Sequence, residues 1–275
     1  MLDDAAWADA HPDIQRAFEA IARLSQGDAA NVFKATRRSD GKVGALKFLT
    51  SGAFAHAASR TRLARQVDTL RAVAARSRVP VRLIDAVVGG PAPYLFFEHL
   101  EGSTVDVTVA SSPRRVAEVG LAVADALTAL HEAGHVFRAV EPAHVMITDG
   151  GVRLVGFGNA SSEDARVTGR GIRVGSIAYA PREQLRGDRP APSWDVYGLG
   201  ALLTAMCVAD EPWRGKHLAD VLTAPASARP FPDEASRRIP IGLRELLAAA
   251  TSGDPTARPA LPSFVAGLEG WARTI

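Results

Sequence analysis

The sequence predicts an α+β chain whose first third is rich in antiparallel strands and whose remainder is mostly helical. Up to residue 98, apolar and polar residues alternate in short runs, as in VGALKFL at 43–49. That is the period of a strand with one buried face. Beyond residue 113, apolar residues recur every three or four positions, as in PRRVAEVGLAVADALTALHEA at 113–133, which is the helical period. The 275 residues exceed what one small core needs, so one large domain or two lobes is expected.

Composition limits the function classes. The net charge of +2 is too small to call for a nucleic-acid partner, and 47% hydrophobic with 23% charged residues is ordinary for a soluble globular protein. The single cysteine, Cys207, allows no internal disulfide and fits a reducing compartment. The opening MLDDAAWADA is acidic and has no apolar core of a signal peptide. The longest apolar run, 196–209, is shorter than the roughly 20 residues that a membrane span needs. The expectation is a cytoplasmic protein that binds neither nucleic acid nor membrane.

In chain order, residues 1–20 read as an N-terminal extension. Pro12 suits the first position of a short helix with Ile14, Phe18 and Ile21 on one face, giving way to a strand that ends near Leu24. LSQGDAANVFKA at 24–35 reads as a hairpin, and Asp40-Gly41 as a second turn. The strand at 43–49 carries Lys47. Residues 58–77 form a helix with Leu63, Val67 and Leu70 on one face; its arginines, from Arg60 to Arg78, read as a solvated face. VRLIDAVV and APYLFFEHL are two strands separated by Gly89-Gly90-Pro91. The change of period places a boundary near Glu98–Gly102, dividing the chain into 1–20, 21–98 and 99–275.

The helix at 113–133 runs into His131-Glu132-Ala133-Gly134-His135, which fits the zinc-protease signature H-E-x-x-H. That reading fails because both histidines must share one continuous helix, and Gly134 reads as the residue just past a helix end. Next come FRAVEPAH at 137–144 and GFG at 156–158, on either side of a short hairpin. A polar, arginine-bearing segment follows, then GSIAY at 175–179. WDVYGLGALLTAMCV at 194–208 is a helix apolar on nearly every side, hence buried, with Cys207 as packing. DPTARP at 254–259 separates a helix at 241–250 from a last one at 261–273.

In this order and spacing, Lys47, Glu98-His99-Leu100, FRAVEP, GFG, GSIAY, WDVYGLG and DPTARP resemble the protein kinase superfamily, bacterial Ser/Thr kinase-like, and within it a pseudokinase. The resemblance covers almost the whole chain. It implies a bilobal fold with an antiparallel β-rich N-lobe and a helical C-lobe. It also implies a vestigial nucleotide pocket of Gly27, Val32, Ala45, Lys47, Gln66, Phe97, Glu98, Leu100 and Met146. Lys47 matches the lysine that grips phosphates, Gln66 stands where its glutamate partner would be, and Phe97 takes the gatekeeper position. Of the three glycines of the phosphate loop only Gly27 is kept; Ser25 and Ala30 replace the others. Arg138, Ser176, Glu183, Asp195 and Arg258 match structural or docking positions, with Asp195 tying the loop backbone and Arg258 pairing with Glu183.

The polar positions of the family's chemistry are filled otherwise. That chemistry uses an aspartate to accept the hydroxyl proton, and an asparagine and a second aspartate to hold magnesium. Here Ala139, His144 and Gly156 occupy those places, and Glu141 replaces a lysine. The implied reading is a chain that is not an enzyme, holds no metal and binds ATP weakly or not at all. It would act as a scaffold or allosteric regulator of a protein partner, such as an active kinase or a phosphopeptide-reading domain. The alternatives are a nucleotide sensor binding ATP without magnesium and a non-kinase transferase using the same cleft. Ser161, Ser162 and Thr168 are candidate phosphorylation sites in a docking segment at 159–183, with Arg138, Arg170 and Arg173 as its cations.

Overall fold

The computed structural model describes residues 5–162, 174–225 and 227–275. The chain forms two compact units: Met1–Ala75 with Val81–Glu101, and Arg76–Pro80 with Gly102–Ile275.

The first unit is built on five antiparallel strands: β1 (Phe18–Gln26), β2 (Ala30–Arg37), β3 (Val43–Leu49), β4 (Leu83–Val87) and β5 (Tyr94–Glu98), in the order β1-β2-β3-β5-β4. The β2–β3 turn is pinned by Arg37, whose Nη2 donates to Asp40 Oδ2 at 2.6 Å, and by Gly41 at φ +68°. Register divides the sheet into two faces. Phe33, Leu46 and Phe96 align on one; Val32, Lys47 and Leu95, with Ala45 and Phe97, align on the other.

The first face is fully covered by the N-terminal residues. Two short helices, α1 (Ala5–Ala8) and α2 (Pro12–Ala17), bring Trp7 and Ile14 onto it. The Trp7 ring meets Phe33 and Phe48 edge-on at 5.4 and 5.9 Å. Two polar ties fix the segment: Asn31 Nδ2 donates to the Ala6 carbonyl at 3.4 Å, and Ser51 N to Asp9 Oδ2 at 3.0 Å. Residues 5–20 therefore contribute Ala6, Trp7, Ala10, Ile14 and Phe18 to this unit's core, and β1 begins among them. The expected helical face of Ile14, Phe18 and Ile21 does not form. Phe18 already pairs with Arg37 as strand, and Ile21 is 44% exposed. Helix α3 (Ser51–Phe54) is capped by Thr50, and α4 (Ala57–Ala74) buries Leu63, Val67, Leu70 and Gln66.

The second unit surrounds α8 (Pro192–Val208), in which every residue from Trp194 to Val208 is buried. A helix apolar all round has to be central, since no face suits water. Helix α5 (Pro113–Glu132) opens with Ser112 Oγ accepting from Arg115 N and with Pro113 at its first turn. It packs on α8 and on α12 (Leu261–Ala272). Small residues set these distances: a Cβ on Gly120 would come within 2.7 Å of Leu268, and one on Gly200 within 2.6 Å of Ala250. The helix Ile241–Ala250 packs on α8 as well. A small sheet of β6 (Gly102–Thr104), β8 (Val145–Thr148) and β9 (Gly151–Leu154) and a two-residue strand β7 (His135–Val136) carry the loops described next. Between α5 and α8 in sequence, α6 spans Val174–Tyr179 and α7 Arg182–Arg186. No helix among the described residues is long and apolar enough to cross a membrane.

Candidate functional site

Two loops of the second unit meet around the β8–β9 hairpin. The first, 137–144, is organised by Asp195 near the start of α8. This carboxylate is fully buried and accepts from Phe137 N at 2.8 Å, Arg138 N at 2.7 Å and His131 Nε2 at 2.8 Å. Three donors make a buried carboxylate tolerable, and in return it satisfies two buried backbone N–H groups. It also holds Arg138 in the left-handed region, at φ +66°. Gln184 Nε2 donates to the Arg138 carbonyl at 2.9 Å, so α7 braces the same loop.

His131, the first histidine of the H-E-x-x-H match, is thus engaged with Asp195. The helix ends at Glu132, and Gly134 sits at φ +73°. Among the described residues, no group of three or more His, Cys, Asp or Glu side chains is placed to hold a metal ion.

Ala139 offers only a methyl group, and its carbonyl accepts from His144 Nδ1 at 2.8 Å. Glu141 Oε1 lies 3.2 Å from the same nitrogen, and Glu141 is buried. A carbonyl can only accept, so in the neutral tautomer that fits the Ala139 contact Nδ1 carries the proton and Nε2 is the acceptor. The ring is wedged between Phe137, edge-on at 6.2 Å, and Gly156 of the second loop. Phe137 and Phe157 pack edge-to-face at 5.0 Å, joining the two loops through apolar contact.

A shallow depression beside Ala139, flanked by Glu141, Tyr179, Gln184 and Trp194, leaves room for little more than a water molecule. Among the described residues the buried Tyr179 hydroxyl has no hydrogen-bond partner. Burial pushes this phenol well above its ordinary range, helped by the carboxylates of Glu211, Glu141 and Asp210.

Further out, Arg258 Nη1 and Nη2 donate to the two oxygens of Glu183 at 2.5 and 3.2 Å, and the guanidinium stacks over Tyr197 at 4.9 Å. Met146 lies on β8, paired with Thr104 and Arg153. Ser176 falls within α6, and its side chain lies outside the described residues, as do Thr168, Arg170, Arg173 and the side chains of Ser161 and Ser162.

The remaining candidates belong to the first unit. Lys47 Nζ donates to Gln66 Oε1 at 2.8 Å. The amide orients the ammonium but cannot offset its charge. Val32, Ala45 and Phe97 share the sheet face of Lys47; Gly27 lies in the β1–β2 loop. Glu98 Oε1 accepts from Arg82 N at 2.7 Å, and Leu100 follows β5 half-buried. Sequence reasoning missed three groups: Trp7, the Asn31 tie to Ala6, and the buried Tyr179 hydroxyl. Trp7 alone gave a signal, as a large aromatic residue in a stretch otherwise read as an extension.

The model for the protein kinase domain matches residues 18–266, and the chain belongs to that family. Three relatives fit the same picture. The chain is 25% identical over 256 residues to a probable serine/threonine-protein kinase, PkwA, of Thermomonospora curvata, covering 91% of this chain and 34% of that protein. It is 28% identical to the serine/threonine-protein kinase AfsK of Streptomyces coelicolor (88% and 30%) and 31% identical to PknL of Mycobacterium tuberculosis (68% and 49%). The chain thus spans between about a third and a half of the length of these relatives. The expectation that the chain is not an enzyme is corrected by these findings: the relatives are named serine/threonine-protein kinases, which points to an enzyme. The residues at 139, 144 and 156 do not by themselves establish a loss of activity.

The family implies a magnesium nucleotide, and the residues present do not fit the metal. Magnesium takes oxygen ligands in near-octahedral order. Position 156 has no side chain, and a Cβ there would lie 2.2 to 2.6 Å from three atoms of the His144 ring.

Proposed function

We propose that this kinase-family chain works in signalling through protein–protein binding, as a scaffold or allosteric regulator of a partner such as an active kinase or a phosphopeptide-reading domain. The observation that carries this reading is an asymmetry in the second unit. The buried polar framework of Asp195, Glu183 and Arg258 is complete, while Glu141, His144 and Gly156 are fitted to one another. A kinase-shaped surface is kept, and surfaces are what partners read. Within this reading the protein works in the cytoplasm, ATP binds weakly or not at all, and magnesium does not strengthen it. The segment at 159–183, together with Arg138, forms part of the docking face in this reading.

A second reading is favoured by the names of the relatives: phosphotransfer to serine or threonine. The acid–base groups that the 137–144 loop would bring to it are Glu141 and His144.

One experiment separates the two. The protein is purified from its own cells with and without crosslinking, and tested for phosphate transfer from labelled ATP. The first reading expects a stoichiometric kinase or phosphopeptide reader, lost when Arg138 is changed to alanine in a folded variant. A partnerless protein that labels a hydroxyl substrate, with labelling abolished by Lys47→Ala, would rule the scaffold reading out.

A further inference from the structure

His144 and Gly156 face each other across the base of the β8–β9 hairpin. Val155 N donates to the His144 carbonyl at 2.8 Å, so the two residues flank a closed rung. Gly156 sits at φ +85°, a conformation that side chains rarely adopt. A Cβ built there would lie 2.2 Å from Cδ2, 2.5 Å from Cγ and 2.6 Å from Nε2 of His144. These are atoms of a rigid ring, not the free end of a flexible chain.

The ring has little freedom to give way. Nδ1 is held by the Ala139 carbonyl at 2.8 Å, Glu141 Oε1 lies 3.2 Å from it, and Phe137 borders the ring edge-on. Nε2 is in a different position. Among the described residues it has no hydrogen-bond partner, and the side chain retains 17% of its exposure. Glu141, with its Oε1 3.2 Å from Nδ1, adds negative charge beside the ring, which disfavours an anionic ligand group there.

We infer that His144 and Gly156 are a matched pair: the imidazole fills the space that a side chain at 156 would take, and offers Nε2 directly to a hydrogen-bond donor of the ligand, a hydroxyl or an amine, with no divalent cation between them. The loop thereby becomes a metal-free polar site whose specificity is set by an acceptor nitrogen. The glycine is required by the histidine, and the two residues are energetically coupled.

Two measurements on the full chain test this. The first uses nitrogen-15 NMR of the His144 ring, with Mn²⁺ as the metal probe. A neutral ring protonated at Nδ1, and a His144 signal unbroadened by millimolar Mn²⁺, are expected. A ring protonated at Nε2, or selective broadening of His144, would overturn the site. The second is a double-mutant cycle read by melting temperature. Gly156→Asp alone should lower it by about 5 °C or more, from the clash. His144→Asn should be nearly silent, and the double variant should recover at least half of the loss. Additive losses would break the pairing. If Gly156→Asp does not fold, rescue by His144→Asn supports the pair, and failure of the double variant refutes it.

Discussion

Two carboxylates of the second unit, only a short distance apart along the same loop system, have different lives. Asp195 lies under the loop with no exposed side-chain surface, and every contact it makes is to another part of the chain. Glu141 lies in the loop itself, places Oε1 3.2 Å from the His144 ring nitrogen, and keeps 11% of its side chain in contact with solvent. The first is a structural ligand for backbone N–H groups; without it, buried donors would be orphaned. Among the described residues the second accepts from no backbone N–H group and stands beside the histidine. Evolution of a loop can therefore exchange the residues that face a ligand while the residues that satisfy buried backbone stay fixed by folding energy alone.

The comparison breaks most readily at Asp195. Asp195→Ala should leave the N–H groups of Phe137 and Arg138 buried without acceptors, at about 1–3 kcal/mol each. A loss on the order of 4 kcal/mol in urea denaturation, or failure to fold, is expected; a change under about 1 kcal/mol would mean the loop backbone finds other partners. Arg258→Ala removes one side of a pair whose guanidinium side chain is 1% exposed, and stranding Glu183 should cost about 3–5 kcal/mol. Differential scanning calorimetry reads it directly, and stability equal to wild type would show that the pair is idle.

Trp7→Ala extends the contrast to the first unit. It uncovers Phe33 and Phe48 and should cost about 3 kcal/mol, with raised hydrogen exchange across β2 and β3. Unchanged exchange there would show that the N-terminal helices merely lie on the sheet. At the small end, His144→Asn should change stability by under about 1 kcal/mol, since Ala139 and Glu141 can accept from an amide as well. A loss as large as that of Asp195→Ala would erase the distinction between framework and loop. Cys207 supplies a control for foldedness in every variant. Burial pushes its thiol up to about 12, so at pH 8 it should react with a disulfide reagent only after unfolding.

The elements most legible in the sequence were those whose burial is one-sided or total. The alternation of VGALKFL gave β3 and the placement of Lys47, and the all-apolar run after Asp195 gave the central helix. The turn at Asp40-Gly41 and the helix end before Gly134 were legible because left-handed backbone favours few residue types. The extension at 1–20 was not. Its helices are too short to show a period, and Trp7 and Ile14 have meaning only once β2 and β3 present an apolar face to cover.

The candidate site divides the same way. Sequence alone determined which residues stand in the loops, that they follow a protein-kinase frame, and that Ala139, His144 and Gly156 replace its polar groups. Only the tertiary structure decided that His144 turns Nδ1 inward onto Ala139 beside Glu141, that its ring occupies the space over Gly156, and that the Tyr179 hydroxyl is buried with no partner among the described residues. The reason is physical. A motif records residue types along one dimension. Which nitrogen of a ring is engaged, and whether a neighbour has room for a single carbon, depend on distances between segments that meet only when the hairpin closes.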